Sequence, residues 1–384
     1  MADCPADAHW FCRSCTKDWK RVPGAPGVAY ATPPDTSKWT NQRFLDGDPM
    51  YRLLKTDPRY FDAFFWSSHT FSHPMLDNAT FDFTKAQMDM NARMAGPDFL
   101  GLTSKATFSR SSMVTPSISG LFNADSLAAL AASGVTAVAG DNTWPVLTNR
   151  ANPHHVLYTT QETNGYPYAP GAFALAITPR WATAMAYSAS SAQEALDLYN
   201  SEVAAPDKEI SLQNLLWKEA ERVLTDGLLS LRHDGHMFHQ ANMRVAGSGG
   251  AGSLLMMWTE TVLARLLAVV DWPVTSLKLD DLAAAFMRRE ARDNCRLSHR
   301  LGISRASGTV QYIAVTSGAA AAAIECGAPL ITPRGVGVDG NGTSLLAAVG
   351  TAAGYNSSVV RLPAGGSALL RVSGALPWAL PPRV

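Results

Sequence analysis

The middle of the chain alternates short apolar runs with longer segments whose apolar residues recur at helical spacing. The short runs predict strands at residues 61–66, 135–139, 156–160 and 237–239. Apolar positions at intervals of three and four predict helices at 192–203, 212–229 and 253–270. Strands that alternate with helices are typical of parallel sheets with crossover helices. We therefore expect an α/β domain that extends from about Trp39 to His299.

The pattern changes after about Leu301. Short apolar segments at 309–315, 321–325, 344–349, 358–362 and 368–372 are separated by glycine-rich turns, which predicts a small antiparallel β-sandwich. Residues 20–40 are rich in proline and glycine and lack apolar periodicity, so they predict a linker or a covering loop. The expected division is a flexible tail at 1–37, an α/β catalytic domain at 38–299 and a β domain at 300–384.

Composition sets limits on size and partners. A chain of 384 residues with 47% hydrophobic positions can bury a large core, sufficient for one catalytic-sized domain and a smaller one. Its 32 basic and 32 acidic residues leave no electrostatic footprint for nucleic acid or for an anionic membrane, so a neutral or weakly cationic sugar polymer is an easier partner. No apolar run reaches membrane-spanning length.

The sequence carries mixed signals about its compartment. The first five residues, Met-Ala-Asp-Cys-Pro, have neither the basic nor the apolar region of a signal peptide. Glycosylation sequons nevertheless begin at Asn78, Asn341 and Asn356. These observations favour a secreted ancestor whose amino-terminal portion is missing from this chain.

The five cysteines fall into two groups. Residues near the amino terminus could form a small zinc knuckle or belong to a tail without fixed structure; they are Cys4, His9, Cys12 and Cys15. Cys295 and Cys326 flank the predicted domain junction and could form a disulfide in an oxidising compartment.

The pentapeptide His69-Thr70-Phe71-Ser72-His73 is the most informative chemical feature. Two imidazoles at positions i and i+4 lie on one side of a helical turn and can share a divalent ion through neutral ring nitrogens. Ordinary histidines on a helix surface have the same spacing, so the spacing alone leaves both interpretations open. The pair follows a predicted strand, where ligand sites of strand–helix folds collect, and this position favours the metal site.

Residues 66–73, Trp-Ser-Ser-His-Thr-Phe-Ser-His, resemble the second metal-binding motif of polysaccharide deacetylases. Residues 65–80, 111–123, 140–145 and 232–244 are most similar to the secreted fungal deacetylases that act on N-acetylgalactosamine-containing exopolysaccharide. The resemblance covers most of residues 38–384. It implies a deacetylase-type β/α barrel, an extracellular location, and a divalent metal, with zinc expected, on His69 and His73.

The same resemblance implies a general acid, and it also shows that this sequence departs from the family pattern. Met237-Phe238-His239 resembles the late Leu-x-His motif of the family, which makes His239 the expected acid; a buried histidine that donates to a carbonyl is the structural alternative. The family also has two adjacent aspartates, a metal ligand and a base, well before the histidine pair. No such pair precedes His69, since Asp46-Gly47-Asp48 reads as a turn. Either the chain is truncated or it is a degenerate relative.

Four further residues are expected to line the sugar-binding site. Asp141, Asn142 and Trp144 follow an apolar strand, and Trp144 could stack on a pyranose ring. Arg180 could donate to a carboxylate or a sugar oxygen. The structural alternatives are turn formation for Asp141 and Asn142 and core packing for Trp144. For residues 111–120 no role is expected beyond that of a wall loop.

These observations predict a metal-dependent hydrolase that removes N-acetyl groups from an N-acetylhexosamine polysaccharide similar to galactosaminogalactan. The alternative is a catalytically impaired relative that binds carbohydrate. The absence of an Asp-Asp pair favours the alternative, whereas both histidines and the His239 motif favour the enzyme. A zinc peptidase is a weaker interpretation, because no glutamate follows His69 as the H-E-x-x-H motif requires.

Overall fold

A computed structural model describes residues 27–28, 37, 40–57, 59–160, 174–202, 209–245, 252–271, 274–318, 326–333, 335–340, 345–346, 355–363 and 365–378. The chain forms two compact units, Met1–Phe286 and Met287–Val384. The domain boundaries predicted at 37/38 and 299/300 stay predictions. Within the described ranges, no helix has both the length and the apolar character needed to cross a membrane.

The first unit combines helices with short strands. Its helices, of which the last continues into the second unit, are α1 (Gln42–Gly47), α2 (Pro49–Thr56), α3 (Arg59–Ala63), α4 (Phe81–Ala95), α5 (Ala124–Ala132), α6 (Ala192–Glu202), α7 (Leu212–Arg222), α8 (Leu254–Leu267) and α9 (Leu279–Asn294). Its strands are β1 (Trp66–Ser68), β2 (Phe108–Met113), β3 (Ala137–Ala139), β4 (Leu157–Tyr158), β5 (Ala176–Thr178), β6 (Arg180–Ala182) and β7 (Gly235–Met237). Single 3₁₀ turns lie at Leu102–Ser104, Pro116–Ile118, Pro145–Leu147 and Gln240–Met243.

The parallel strands lie in two separate sheets, and Pro179 lies between them in the chain. The larger sheet has the order β1-β2-β3-β5-β4, in which only β4 is antiparallel. A separate parallel pair consists of β6 and β7. Pro179 separates β5 from β6 and lacks the N–H that a continuous ladder would need. The α/β class is thus confirmed, whereas the described strands do not close into a barrel.

Helix α4 is the element that lies against the predicted metal motif. Thr80 caps its amino terminus by accepting a hydrogen bond from the backbone N–H of Phe83. Asp82 in the first turn and Arg93 in the last turn both complement the helix dipole. Its buried face includes two polar residues, Thr84 and Gln87, among apolar ones.

Two local predictions differ from the structure. The aromatic run 61–66 was predicted as a strand, but Phe61 lies in α3 and β1 begins only at Trp66. Phe61 packs in a cluster with Leu54 and Leu102, whereas Phe64 and Phe65 are exposed. A short apolar run fits a helix or a strand, and tertiary packing decides between them. The predicted helix 212–229 is α7 followed by a π-helical turn, Val223–Leu228.

The second unit consists of antiparallel sheets after the end of α9. Its strands are β8 (Ser298–Ser304), β9 (Thr309–Thr316), β10 (Cys326–Pro333), β11 (Gly337–Asp339), β12 (Leu345–Leu346), β13 (Tyr355–Leu362) and β14 (Ser367–Ser373). They form sheets with the orders β11-β14-β9-β8 and β10-β13-β12. Val315 of one sheet and Leu330 of the other belong to the same hydrophobic cluster. The sandwich packing of these sheets stays a prediction.

A disulfide lies in the core of the second unit. Cys295 and Cys326 are joined, with their Cα atoms 5.9 Å apart and both residues almost fully buried. The candidate knuckle at Cys4, Cys12 and Cys15 and the predicted segment 321–325 lie outside the described residues.

Candidate active site

The histidine pair, His69 and His73, lies in a loop and not on the predicted helical turn. The loop follows β1, and two of its residues have left-handed backbone conformations, Thr70 with φ 62° and His73 with φ 55°. Both histidines are exposed, and their ring centroids are 4.8 Å apart. The loop therefore brings together the two rings that sequence analysis paired, although by a geometry that the i, i+4 spacing did not predict.

The orientation of His69 is fixed by a backbone carbonyl. Its Nδ1 lies 2.7 Å from the carbonyl oxygen of Val114. Because a carbonyl only accepts, Nδ1 carries the proton and Nε2 keeps its lone pair, as a metal ligand requires. Partial desolvation of the ring lowers the pKa of His69, and the nearby charges of His73 and Arg180 lower it further, whereas the hydrogen bond to the Val114 carbonyl opposes the shift. Residues 111–120 thus have a role that sequence analysis did not assign.

Two side chains from α4 hold the loop that carries the histidine pair. The Oε1 atom of Gln87 accepts hydrogen bonds from the backbone N–H groups of Phe71, at 3.2 Å, and Ser72, at 2.9 Å. The Nδ2 atom of Asn91 donates to the carbonyl of Thr70 at 2.9 Å. Sequence analysis missed both residues. Their only signal was a pair of amide side chains on a helix face that also carries apolar residues.

His239 lies just after the end of β7. Its backbone N–H donates to Oδ1 of Asn242 at 2.9 Å, and the Nδ2 atom of this fully buried amide donates to the carbonyls of Ala186 and Ala189. The His239 ring contacts Tyr187, with a centroid distance of 5.7 Å, and Tyr187 is 57% exposed. His239 is exposed, unlike the buried histidine of the structural alternative, and its role stays a prediction.

The environment of His239 favours its neutral form. Partial desolvation of its ring lowers its pKa, and the charges of Arg180 and of the histidine pair lower it further. Arg180 and His73 lower the pKa of both His69 and His239, which indicates that these groups lie near one another although they are far apart in the sequence.

The predicted sugar-binding residues Asp141 and Arg180 are bound to each other. The Arg180 guanidinium donates to the Asp141 carboxylate at 2.8 Å, and both side chains are largely buried. Asp141 also accepts from the backbone and the hydroxyl of Thr143. Burial lowers the pKa of Arg180, while Asp141 opposes that shift. Arg180 therefore does donate to a carboxylate, but to one within the protein.

Asn142 and Trp144 are also engaged in the fold. The Asn142 side-chain oxygen accepts from the backbone N–H of Ala182 at 2.8 Å, which extends the contact between the ends of β3 and β6. Trp144 is partly buried and packs against the hydrophobic core beneath the larger sheet. Trp144 thus shows the core packing of its structural alternative, whereas the Asn142 side chain contacts β6; contact with a substrate stays a prediction for both.

The two remaining histidines of the 232–244 segment are packed among aromatic rings. His233 stacks on Phe286 with a centroid distance of 4.0 Å. His236 contacts Trp258 at 5.0 Å, and burial lowers its pKa to about 4. His236 is therefore neutral at physiological pH and belongs to the packing around the site.

Two cavities reach Arg180. One of about 290 Å³ is lined by His69, Arg180, His236 and Met237. A larger cavity of about 800 Å³ also reaches Arg180, but its other walls include Lys218 and Arg222 and neither member of the histidine pair. The smaller cavity is the one that adjoins the candidate chemistry.

The histidine pair fits a divalent ion as two of its ligands. His69 presents an unprotonated Nε2, and the His73 ring lies beside it. The Thr70 hydroxyl is buried without a hydrogen-bond partner, so a polar group is available next to the pair. Within the described ranges, no three histidine, cysteine or acidic side chains come together as a ligand group. The aspartate ligand that the resemblance implies is therefore not among these residues.

Comparisons with known proteins indicate the family of the chain. The chain is similar to the crystal structure of Agd3, described as a novel carbohydrate deacetylase, with a TM-score of 0.75 and 26% identity. The similarity covers 94% of this chain and 53% of that one, so this chain spans about half the length of that protein. None of the curated proteins matches. Residues 12–300, more than half of the chain, match the family described as the Agd3 deacetylase domain, and the chain therefore belongs to that family.

Proposed function

We propose that this chain removes N-acetyl groups from an N-acetylhexosamine polysaccharide, with a divalent ion, expected to be zinc, on His69 and His73. The observation that carries the proposal is the pair of histidine rings 4.8 Å apart, of which His69 is fixed in the tautomer that a metal ligand needs. His239 supports it because, besides partial desolvation and Arg180, the charges of both histidines lower its pKa. Membership of the deacetylase family supports the same reaction.

The chemistry divides between the ion and the protein. A bound divalent ion would supply a Lewis acid that polarises the acetyl carbonyl. Amide hydrolysis also needs a proton acceptor when water adds and a proton donor when the amine leaves. His239 is neutral at pH 7 because its pKa is lowered, so its imidazole can accept the first proton and return it to the departing amine. In this scheme His239 is the general acid only after it has gained that proton.

Arg180 acts through charge in this proposal. Its guanidinium remains protonated because an arginine does not lose its proton in proteins, and it lowers the pKa of both His69 and His239. Asp141 holds it in place. The wall of the sugar site would consist of Asp141, Asn142, Trp144 and Arg180. Tyr187, which is exposed beside His239, offers a further surface for a pyranose ring.

The architecture and the compartment belong to the same proposal. The strand series from β1 to β7 would be part of a deacetylase-type β/α barrel, and the second unit a β-sandwich. The buried disulfide between Cys295 and Cys326 supports an oxidising, extracellular location. Asn78 is exposed, so its sequon is open to glycosylation there.

A carbohydrate-binding relative without catalysis is the second candidate. It is favoured by one observation: within the part of the chain that the structure describes, no carboxylate joins the histidine pair. Loss of a general base costs on the order of 10²–10⁴-fold in rate, which would leave binding as the main property.

Acetate release from partially acetylated galactosamine and glucosamine oligomers, with added zinc or cobalt, separates the two candidates. The assay compares the chain with His73→Ala and with a control, His299→Ala, whose histidine lies on β8 of the second unit. We expect metal-dependent release that His73→Ala abolishes and His299→Ala retains. If none of the proteins releases acetate while the chain still binds the oligomers, the catalytic proposal is wrong and the binding alternative replaces it.

A further inference from the structure

The loop between the two histidines has an unfavourable local conformation. Thr70 and His73 have φ values of 62° and 55°, in the left-handed region that β-branched and bulky residues rarely adopt. A non-glycine residue is strained there and persists in that conformation only where the surroundings impose it. Some part of the fold must therefore hold the loop.

Gln87 supplies the contacts that can do so. It is fully buried, and its Oε1 atom accepts from the backbone N–H groups of Phe71 and Ser72. Its Nε2 atom donates to the Ser72 hydroxyl at 2.8 Å. One side chain thus holds the central residue of the pentapeptide, Phe71, and the residue after it, Ser72.

Asn91 extends this support by one helical turn. It follows Gln87 at i+4, so both side chains lie on the same face of α4. Its Nδ2 atom donates to the carbonyl of Thr70, the residue that enters the left-handed region immediately after His69. Together the two amides hold a backbone group of each residue from 70 to 72.

We propose that Gln87 is the positioning residue of the histidine pair, with Asn91 as its auxiliary. The inference rests on the proposed function and deepens it by naming what sets the geometry of the metal-binding pair. Gln87 touches neither imidazole. It acts through the loop backbone, which fixes the ring separation and allows the Nδ1 atom of His69 to reach the carbonyl of Val114.

A merely structural role for Gln87 is the competing explanation, and α4 itself provides the matched control. Thr84 lies one turn earlier on the same face and is also fully buried. Its hydroxyl pairs with that of Ser126 and not with the histidine loop. Thr84→Val therefore removes a buried polar contact of the same helix without touching the loop.

The experiment compares Gln87→Leu, Gln87→Glu and Thr84→Val. Its first readout is the ring ¹⁵N shifts of His69 without metal at pH 8, where the imidazole is neutral and the shifts report which nitrogen carries the proton. We expect the Nδ1–H form in the parent chain and in Thr84→Val. Gln87→Leu should shift His69 toward a mixture of the two tautomers. Gln87→Glu, which keeps the acceptor oxygen, should restore the parent pattern.

The second readout is the affinity for zinc alone, measured by titration. Loss of groups that orient metal ligands typically costs 10–100-fold in metal affinity, and we expect that loss for Gln87→Leu and less than a twofold change for Thr84→Val. If Gln87→Leu does not fold, Asn91→Leu, which changes a less buried residue, should give a smaller shift in the same direction.

An unchanged His69 tautomer in Gln87→Leu, or an equal change in Thr84→Val, would overturn the inference. These outcomes are independent of catalysis. A parent chain with the fixed tautomer but no acetate release would refute the proposed function and leave the positioning role intact.

Discussion

Two polar segments follow strands of the same sheet, and they differ in what their side chains contact. The loop after β1 has its backbone held by Gln87 and Asn91, which leaves the histidine rings available. In the turn after β3, Asp141 is bound by Arg180 and Thr143. Polarity at a strand end therefore does not by itself identify a functional group. What distinguishes the two segments is whether the protein already satisfies the side chain.

The largest expected effect concerns His239, whose side chain is available for proton transfer. His239→Gln should lower kcat by about 10²–10⁴-fold, the usual contribution of general acid–base catalysis, because the amide cannot exchange a proton. Stability and zinc affinity should change little, since the ring of His239 is exposed. Acetate-release kinetics, thermal unfolding and zinc titration of the same preparation check this. A folded variant with parent kcat would remove His239 from the mechanism.

The next largest effect concerns Asp141, whose side chain is already bound by Arg180. Asp141→Asn leaves the buried guanidinium of Arg180 without a counter-charge, and breaking such a pair costs about 3 kcal/mol or more. We expect that loss in the free energy of unfolding, measured with urea, while zinc affinity stays within twofold of the parent. Thr143→Val removes a weaker contact to the same carboxylate and should cost less. If Asp141→Asn lost zinc affinity at unchanged stability, the contrast between the two segments would fail.

His236, a histidine outside the group of His69, His73 and His239, makes the stability of the fold depend on pH. The pKa of His236 falls from an ordinary value near 6.5 when unfolded to about 4 when folded. As pH falls below about 6.5, the unfolded chain takes up this proton first, so stability decreases until the folded pKa is reached. Between pH 7 and pH 5 the loss should be roughly 2 kcal/mol.

His236→Gln tests this assignment. The variant should lose less stability than the parent chain when urea unfolding is measured at pH 7 and at pH 5. His299→Gln, an exposed histidine of the second unit, should retain the parent dependence. Equal acid sensitivity in the parent and in His236→Gln would show that other groups dominate.

The smallest effect concerns an exposed aromatic ring. Tyr187 lies beside His239 and is 57% exposed, so Tyr187→Ala should raise KM for an acetylated oligomer several-fold, by the loss of about 1 kcal/mol of stacking. Tyr187→Phe keeps the ring and should behave like the parent chain. An unchanged KM for Tyr187→Ala would place the sugar elsewhere.

Sequence patterns gave the α/β class and the identity of the histidine pair, but not the loop geometry. An H-x3-H spacing predicts a helix because both rings then share a face. Here Thr70 and His73 are left-handed without being glycine, and Gln87, which holds the loop, lies outside the motif. No local sequence pattern predicts that Gln87 binds the histidine loop, although a glutamine on the core-facing side of α4 was a signal in the sequence.

The turn after β3 was predicted as a sugar wall because its polar residues stand at a strand end. The Arg180 that binds Asp141 comes from another strand, so the pairing follows from the strand order and not from the local sequence. The strand predicted at residues 61–66 was wrong for a related reason. Phe61 is buried against α2, and that tertiary contact favours a helix where an aromatic run predicts a strand.

One side-by-side assay separates the two segments most directly: zinc-dependent acetate release per folded molecule for His73→Ala and Asp141→Asn. We expect His73→Ala to fold like the parent chain and to release no acetate. We expect Asp141→Asn, which loses the group that holds Arg180 in the wall of the sugar site, to be less stable and to keep a reduced but measurable zinc-dependent activity per folded molecule. The reverse pattern, an active His73→Ala and a stable but inactive Asp141→Asn, would contradict the assignment of the site to the histidine loop.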